Sequence, residues 1–326
     1  MRRLLGLVTT WIDPFVVALV AILVLGVLVP VPAPAREVVS VAGDVAVTIL
    51  FFVYGMRLST REVLGGLRNV RLQGSILVAT YLVFPLIGIG LYAVTESLLG
   101  ASLALGLLYL TLLPSTVQSS VSFTSIARGN VAGALAAATI SNVLGMVLTP
   151  LLVLVVMEEA GSVGFDGLRS VLLHLLLPFV LGQLLQPFTG AWVRAQRRLT
   201  QLVDRGTILV VVLGAVTEAT ADGVWTAVSW RMLVALLLLC AGILAFMLAG
   251  TWWGGRALRL NRADRIAMLM CGSKKSLTTG LPMAAVLFPV ATAAVIAVPV
   301  ILFHQMQLIV CAFLARHLAR RSEAAS

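Results

Sequence analysis

Two adjacent lysines, Lys274 and Lys275, stand inside one of the most apolar stretches of the chain, running from Ile266 to Phe288. They are the only lysines among its 23 basic residues. A charge near the centre of a plain membrane-spanning helix costs about 2.5–3.5 kcal/mol on insertion scales, so such charges persist where they face protein or a water-filled cavity. An ammonium so placed can attract an anion, answer a neighbouring charge or take part in proton coupling. The second run with chemical capacity is Pro114-Ser115-Thr116-Val117-Gln118-Ser119-Ser120-Val121-Ser122-Phe123-Thr124-Ser125. From these two runs the candidate substrate- or ion-binding residues are Ser115, Thr116, Gln118, Ser119, Ser120, Ser273, Lys274, Lys275 and Ser276. Asn142, beside Ser141, and Thr80, five residues before Pro85, are the supporting candidates. A lone serine or threonine in such a run can equally bond its own helix and allow close packing. Gln118 and two lysines are not packing residues, although a purely structural counter-charge role stays open for the lysines.

Both runs lie where a helix is expected to break. Pro114 lacks an N–H and clashes with the preceding turn, while Gly272, Gly280 and Pro282 weaken the other segment. Successive helical residues point about 100° apart, so Lys274 and Lys275 face one pocket only if the helix is interrupted between them. Unwound backbone at membrane depth is tolerated beside protein or a cavity. A pair of such interruptions at corresponding places is the sequence signature of a transporter site, where half-helix N-termini attract anions and freed carbonyls attract cations.

The rest of the chain supplies the elements that hold these runs. Of 326 residues, 60% are hydrophobic and 11% charged, with a mean hydropathy of +1.07. That composition specifies a polytopic helical membrane protein, with the lipid bilayer as its first partner. The net charge of +10 does not point to nucleic acid, because the arginines fall in short clusters between apolar runs and form no continuous basic face. Cys240, Cys271 and Cys311 lie within apolar segments without metal-ligand spacing, so no metal site and no disulfide framework is indicated. Arg2, Arg3 and the apolar run from Phe15 imitate a signal peptide, but Asp13-Pro14 interrupts the pattern, and a first span is expected instead. Pro30, Pro32 and Pro34 suit a stiff loop after it.

Ten spans can be drawn, near 14–30, 39–57, 72–94, 102–127, 131–156, 168–190, 206–220, 231–254, 266–288 and 292–315, the seventh being short. With both termini cytoplasmic, this count places 18 arginines inside and only Arg36, Arg169 and Arg231 outside. Glu37, Glu96, Glu158, Glu159, Asp166, Glu218 and Asp222 fall in the outside loops. Pro14-Phe15-Val16 recurs as Pro178-Phe179-Val180, and Thr48-Ile49-Leu50 as Thr207-Ile208-Leu209. Two five-span halves, 1–160 and 161–326, are expected, and an odd number of spans per half makes them an inverted repeat. The setting is an inner (plasma) membrane.

A membrane-embedded enzyme would need a nucleophile with a base, or paired core carboxylates, and neither is present; His174, His304 and His317 are isolated. No ring of like charges or repeated filter motif suggests a channel. The reading is a secondary transporter of a small organic anion, without a cofactor. The alternative is a non-transporting regulatory or scaffold membrane protein of the same fold.

The chain resembles the bile acid:sodium symporter superfamily, more narrowly its bacterial symporter-like branch, over nearly its whole length. The resemblance rests on Leu113-Pro114-Ser115-Thr116-Val117-Gln118-Ser119-Ser120, Ala127-Arg128-Gly129-Asn130-Val131, Thr149-Pro150 and Gly272-Ser273-Lys274-Lys275-Ser276-Leu277. It implies ten helices in a core and a panel domain, with the fourth and ninth crossing where they unwind. It also implies alternating-access transport of an organic anion, coupled in sodium-dependent relatives to two sodium ions. The positions matching the sodium ligands of those relatives read Ser119 and Ser120, Ala134 and Ala138, Met270, Lys274 and Thr80. Alanine and methionine side chains offer no oxygen to a hard cation. Coupling to protons, or none, is therefore expected, with a lysine ammonium in the space sodium would take.

Overall fold

The computed structural model describes residues 14–58, 69–157, 169 and 172–323. Arg2, Arg3, Asp13, Arg61, Arg68, Glu158, Glu159 and Asp166 lie outside them. Among the described residues the chain forms α1 (Pro14–Leu28), α2 (Ala33–Arg57), α3 (Val70–Leu99), α4 (Ala101–Leu112), α5 (Gln118–Ile126) and α6 (Val131–Met157). It continues with α7 (Leu172–Ala195), α8 (Arg197–Ala221), α9 (Trp230–Ala257), α10 (Arg262–Gly272), α11 (Leu277–Leu287) and α12 (Val290–Glu323). Seven of these, α2, α3, α6, α7, α8, α9 and α12, are long and apolar enough to cross a membrane, and α1 and α4 are shorter apolar helices. The protein is a polytopic membrane protein.

Two boundaries differ from expectation for physical reasons. α2 begins at Ala33, so Pro34 lies in its first turn instead of a loop; there its missing N–H costs nothing and its fixed φ favours the helix. The segment expected as a short span over 206–220 is a 25-residue helix whose polar first turns begin at Arg197. The spans drawn at 102–127 and 266–288 are each two short helices, separated at the breaks that Pro114 and Gly272 lead one to expect.

α2 lies against α7 and α8. A Cβ on Gly55 would collide with the carbonyl of Phe179, and one on Gly182 with that of Phe52, so this reciprocal glycine pair sets α2 against α7 at backbone contact. Arg36 and Glu218 pair at 2.8 Å at one end of α2 and α8, and Arg57 faces Asp204 at 3.5 Å at the other, which makes the two helices antiparallel.

Helices that flank the two breaks are joined elsewhere. Asn69, Asn130 and Asn261 cap α3, α6 and α10, their Oδ1 atoms accepting from the N–H of Leu72 (3.3 Å), Gly133 (2.8 Å) and Asp264 (2.9 Å). All three Nδ2 groups donate to the buried carboxylate of Asp264, at 3.2, 2.6 and 3.1 Å respectively. One carboxylate thus draws together three positive helix ends and three cap amides. Arg71, Arg128, Arg262 and Arg265 lie within two residues of these joined positions in the chain and so belong to the same end of these helices. Asp264→Ala leaves three amides without their acceptor and is expected to lower stability by about 2–4 kcal/mol. Thermal unfolding in detergent, with Asp44→Asn at an exposed position as the control, measures this; equal shifts would rule the clamp out.

Candidate functional site

The two breaks cross, and each supplies what the other lacks. α4 stops at Leu112 because Pro114 follows, and α5 resumes at Gln118; α10 stops at Gly272, and α11 resumes at Leu277 behind its cap Ser276. Helix ends leave N–H and C=O groups unpaired, and in an apolar medium each needs a partner. Here the Ser276 N–H donates to Pro114 O at 2.8 Å, Ser115 Oγ to Cys271 O at 2.5 Å and Ser120 Oγ to Met270 O at 2.9 Å. Tyr109 OH adds a bond to Gly280 O at 2.7 Å. Ser115 is held further by Ser141 Oγ, which accepts its N–H at 3.0 Å, and by Asn142 Nδ2, which donates to its carbonyl at 2.7 Å.

Lys275 leaves this crossing toward α3 and α4. Its Nζ donates to the carbonyls of Thr80 (2.9 Å), Thr111 (2.8 Å) and Leu113 (2.6 Å), and lies 4.2 Å from the centre of the Phe84 ring. Each carbonyl is available for a local reason. Residues 79–83 form a π turn in which the Phe84 N–H bonds Ala79 O; the next donor in that pattern would be residue 85, a proline, so Thr80 O is released. Thr111 O and Leu113 O lie at the C-terminal end of α4, the negative pole of that helix. Gly88 lets α3 approach Thr111, with whose side chain any Cβ there would collide. Three acceptors engage all three hydrogens of an ammonium, one more than a neutral amine owns, so the geometry is that of the charged form. The Phe84 face adds a cation–π contact.

Lys274 leaves in another direction and is held differently. It is 0% exposed, yet its Nζ makes one hydrogen bond, to Ser119 Oγ at 3.3 Å, and lies 4.7 Å from the centre of the Phe123 ring. Ser119 Oγ and Ser120 Oγ each lie 2.8 Å from Thr116 Oγ1. Since the Ser120 hydrogen is committed to Met270 O, Thr116 must donate to Ser120 and Ser119 to Thr116. Lys274 is then the donor to Ser119, and the bonds run in one direction from the ammonium to a carbonyl of α10.

The crossing therefore brings together Ser115, Thr116, Ser119, Ser120, Lys274, Lys275, Ser276 and Asn142. Ser273 is buried there, but its Oγ donates back to Leu269 O at 2.5 Å within its own helix. Thr80 Oγ1 likewise bonds Ile76 O at 2.8 Å, so Thr80 contributes its carbonyl and not the hydroxyl that made it a candidate. Gln118 is exposed and stands apart from the lysines. Sequence reasoning missed Gln307, whose side-chain amide brackets the Lys275 backbone: Oε1 accepts its N–H at 2.9 Å and Nε2 donates to its carbonyl at 2.8 Å. His304 is not isolated, since its Nδ1 lies 2.9 Å from Gln307 Nε2. A glutamine within the apolar run 292–315 was the available signal.

The positions that match sodium ligands do not fit that ion. Ala134, Ala138 and Met270 are fully buried and present no side-chain oxygen. Their carbonyls are engaged by Cys271 Sγ (3.6 Å), Asn142 Nδ2 (2.9 Å) and Ser120 Oγ (2.9 Å). Gln307→Leu strips two unwound backbone groups of their partner and is expected to cost about 2–5 kcal/mol. The same substitution at Gln305, on the same helix, makes no such pair of bonds and serves as comparison in thermal unfolding; equal loss for both would remove the bracketing role.

The chain matches the SBF-like CPA transporter family over residues 13–320. It is 40% identical to an uncharacterised protein of Pseudomonas aeruginosa over 316 residues, covering 96% of this chain and 95% of that protein. It is 38% identical over 314 residues to YfeH of Escherichia coli (strain K12), by its name a candidate symporter, covering 96% and 94%. Sodium/bile acid cotransporter 7 of Mus musculus is 26% identical over 269 residues, covering 81% and 79%. With crossed helix breaks at its centre and a family match along nearly its whole length, the chain belongs to the SBF-like CPA transporter family, within the bile acid:sodium symporter superfamily.

Proposed function

We propose that this transporter moves a small organic anion by alternating access, and that Lys274 is the group that draws the anion's charge. The observation that carries the reading is the contrast between the lysines: Lys275 has three acceptors, whereas Lys274, equally buried, has one hydroxyl at 3.3 Å. A buried ammonium with two unused donors is costly unless a counter-charge visits it. Lys274 also stands beside Ser119 in the first turn of α5, whose free N–H groups and positive pole favour the same sign of ligand. Ser119, Thr116 and Ser120 offer hydroxyls that can turn toward a carboxylate or sulfonate once it displaces the Ser119 contact.

On this reading α4 with α5, and α10 with α11, are each one discontinuous span. Ten spans then form two inverted halves, 1–160 and 161–326, with both termini cytoplasmic in a plasma membrane. The seam between α8 and α11–α12 is lined by Val211, Ala215, Leu281, Ala293 and Ala297, and it continues past Ser40, Gly43 and Asp44 of α2. Such small apolar surfaces suit the sliding that alternating access requires. The names of the relatives support transport as the class of activity; the solute is not carried over from them. Coupling runs through protons or is absent, because four of the matched positions, Ala134, Ala138, Met270 and Lys274, offer no side-chain oxygen to sodium.

Carboxylates, sulfonates and sulfates screened by thermal stabilisation supply the substrate for uptake into proteoliposomes under separate sodium and proton gradients. Uptake is expected without sodium. Lys274→Ala, removing one charge-assisted contact of about 1.5–3 kcal/mol, should weaken it roughly 10–100-fold. Uptake that requires sodium and ignores pH, or that survives Lys274→Ala unchanged, would sink the proposal.

A further inference from the structure

We infer that the carbonyls of Thr80, Thr111 and Leu113, roofed by the Phe84 ring, form a monovalent-cation site that the chain fills with its own Lys275. Without that side chain the site would take a free cation the size of ammonium or potassium. Three backbone oxygens converge on one point, 2.9, 2.8 and 2.6 Å from Nζ, and the Phe84 face covers it at 4.2 Å. Rings of carbonyls that replace a hydration shell are the way proteins hold weakly hydrated monovalent ions. The spacing suits ammonium and potassium, which are of nearly equal radius, better than the smaller sodium ion.

The site is built independently of the lysine. Thr80 O is released by the π turn and Pro85, and the other two carbonyls are released by the end of α4 before Pro114. None of these causes lies in the segment that carries Lys275. The oxygens therefore remain turned inward, beside the buried Phe84, when the ammonium is removed. In a dry site they must be satisfied by some cation or by water.

The inference rests on the cage alone and holds whatever the transported solute is. Its test therefore reads stability and not flux. Wild-type protein and Lys275→Ala are purified in detergent with choline, sodium, potassium or ammonium chloride at equal ionic strength, and thermal unfolding is recorded. The wild type should melt at the same temperature in all four salts. Lys275→Ala should melt well below it in choline and recover several degrees in potassium and ammonium, with a smaller gain in sodium. Lys275→Met, whose apolar side chain fills the space, should be destabilised in every salt with no recovery.

If Lys275→Ala is too unstable to purify in choline, the readout becomes the yield of monodisperse protein, expected in ammonium chloride and lost in choline chloride. A folded Lys275→Ala protein indifferent to the cation, or one recovered in none of the salts, would overturn the inference. So would a wild type stabilised by sodium or potassium, since its cage would then not be filled.

Discussion

An ammonium inside a membrane protein is costly for every hydrogen left without an acceptor, and the site depends on how Lys275 meets that demand. Its acceptors are backbone carbonyls freed by defects: a π turn before a proline in α3 and a helix that stops before Pro114. Each defect alone would leave bare polar backbone in an apolar interior at about 1–3 kcal/mol per group. The lysine offsets that cost, and the carbonyls in turn offset the desolvation of the lysine. Ser276 and Ser115 repeat the exchange between the two breaks, and Gln307 closes it by bracketing the backbone of Lys275 itself. The interruptions are therefore one interlocked unit.

Unwinding between Gly272 and Leu277 also separates the neighbouring lysines. Lys275 reaches the C-terminal end of α4, where helix carbonyls point outward and favour a cation. Lys274 reaches Ser119 in the first turn of α5, where the helix field opposes a cation and favours an anion. Adjacent residues of one type thus occupy opposite electrostatic environments. One is consumed by structure and the other remains short of partners.

Much of this was legible in the sequence. The apolar spans, both breaks and the anomalous lysines follow from hydropathy, proline and glycine placement, and the rarity of charge in such segments. What stayed hidden was mostly backbone. Every residue has a carbonyl, so nothing in the letters marks those of Thr80, Thr111 and Leu113 as ligands; the Thr80 hydroxyl, the visible candidate, bonds its own helix while the carbonyl meets Lys275. Gln118 stands in the middle of a polar run, but the first turn of α5 turns it outward while Ser119 faces Lys274 and Ser120 faces α10. Nothing in the letters marks Asp264, Asn69 and Asn261 as partners, and Asn130 stands out only within the Ala127–Val131 motif. Only the fold brings three caps from distant parts of the chain onto one carboxylate.

A tethered cation differs from a bound one in a way that bears on the transport proposal. A free ion that stabilises a transporter contributes only as far as its concentration exceeds its dissociation constant, so its gradient can bias the cycle. A lysine in the same kind of cage contributes at every concentration and cannot leave, so no ion gradient can act through it. Any coupling must then arise at a group whose occupancy changes during the cycle. Within the crossing, Lys275 is fully engaged, and the hydroxyls of Thr116 and Ser120 are committed along one hydrogen-bonded run. Lys274 heads that run with two hydrogens uncommitted, which leaves it as the group where a solute's charge, or a proton, can change the energy of the crossing.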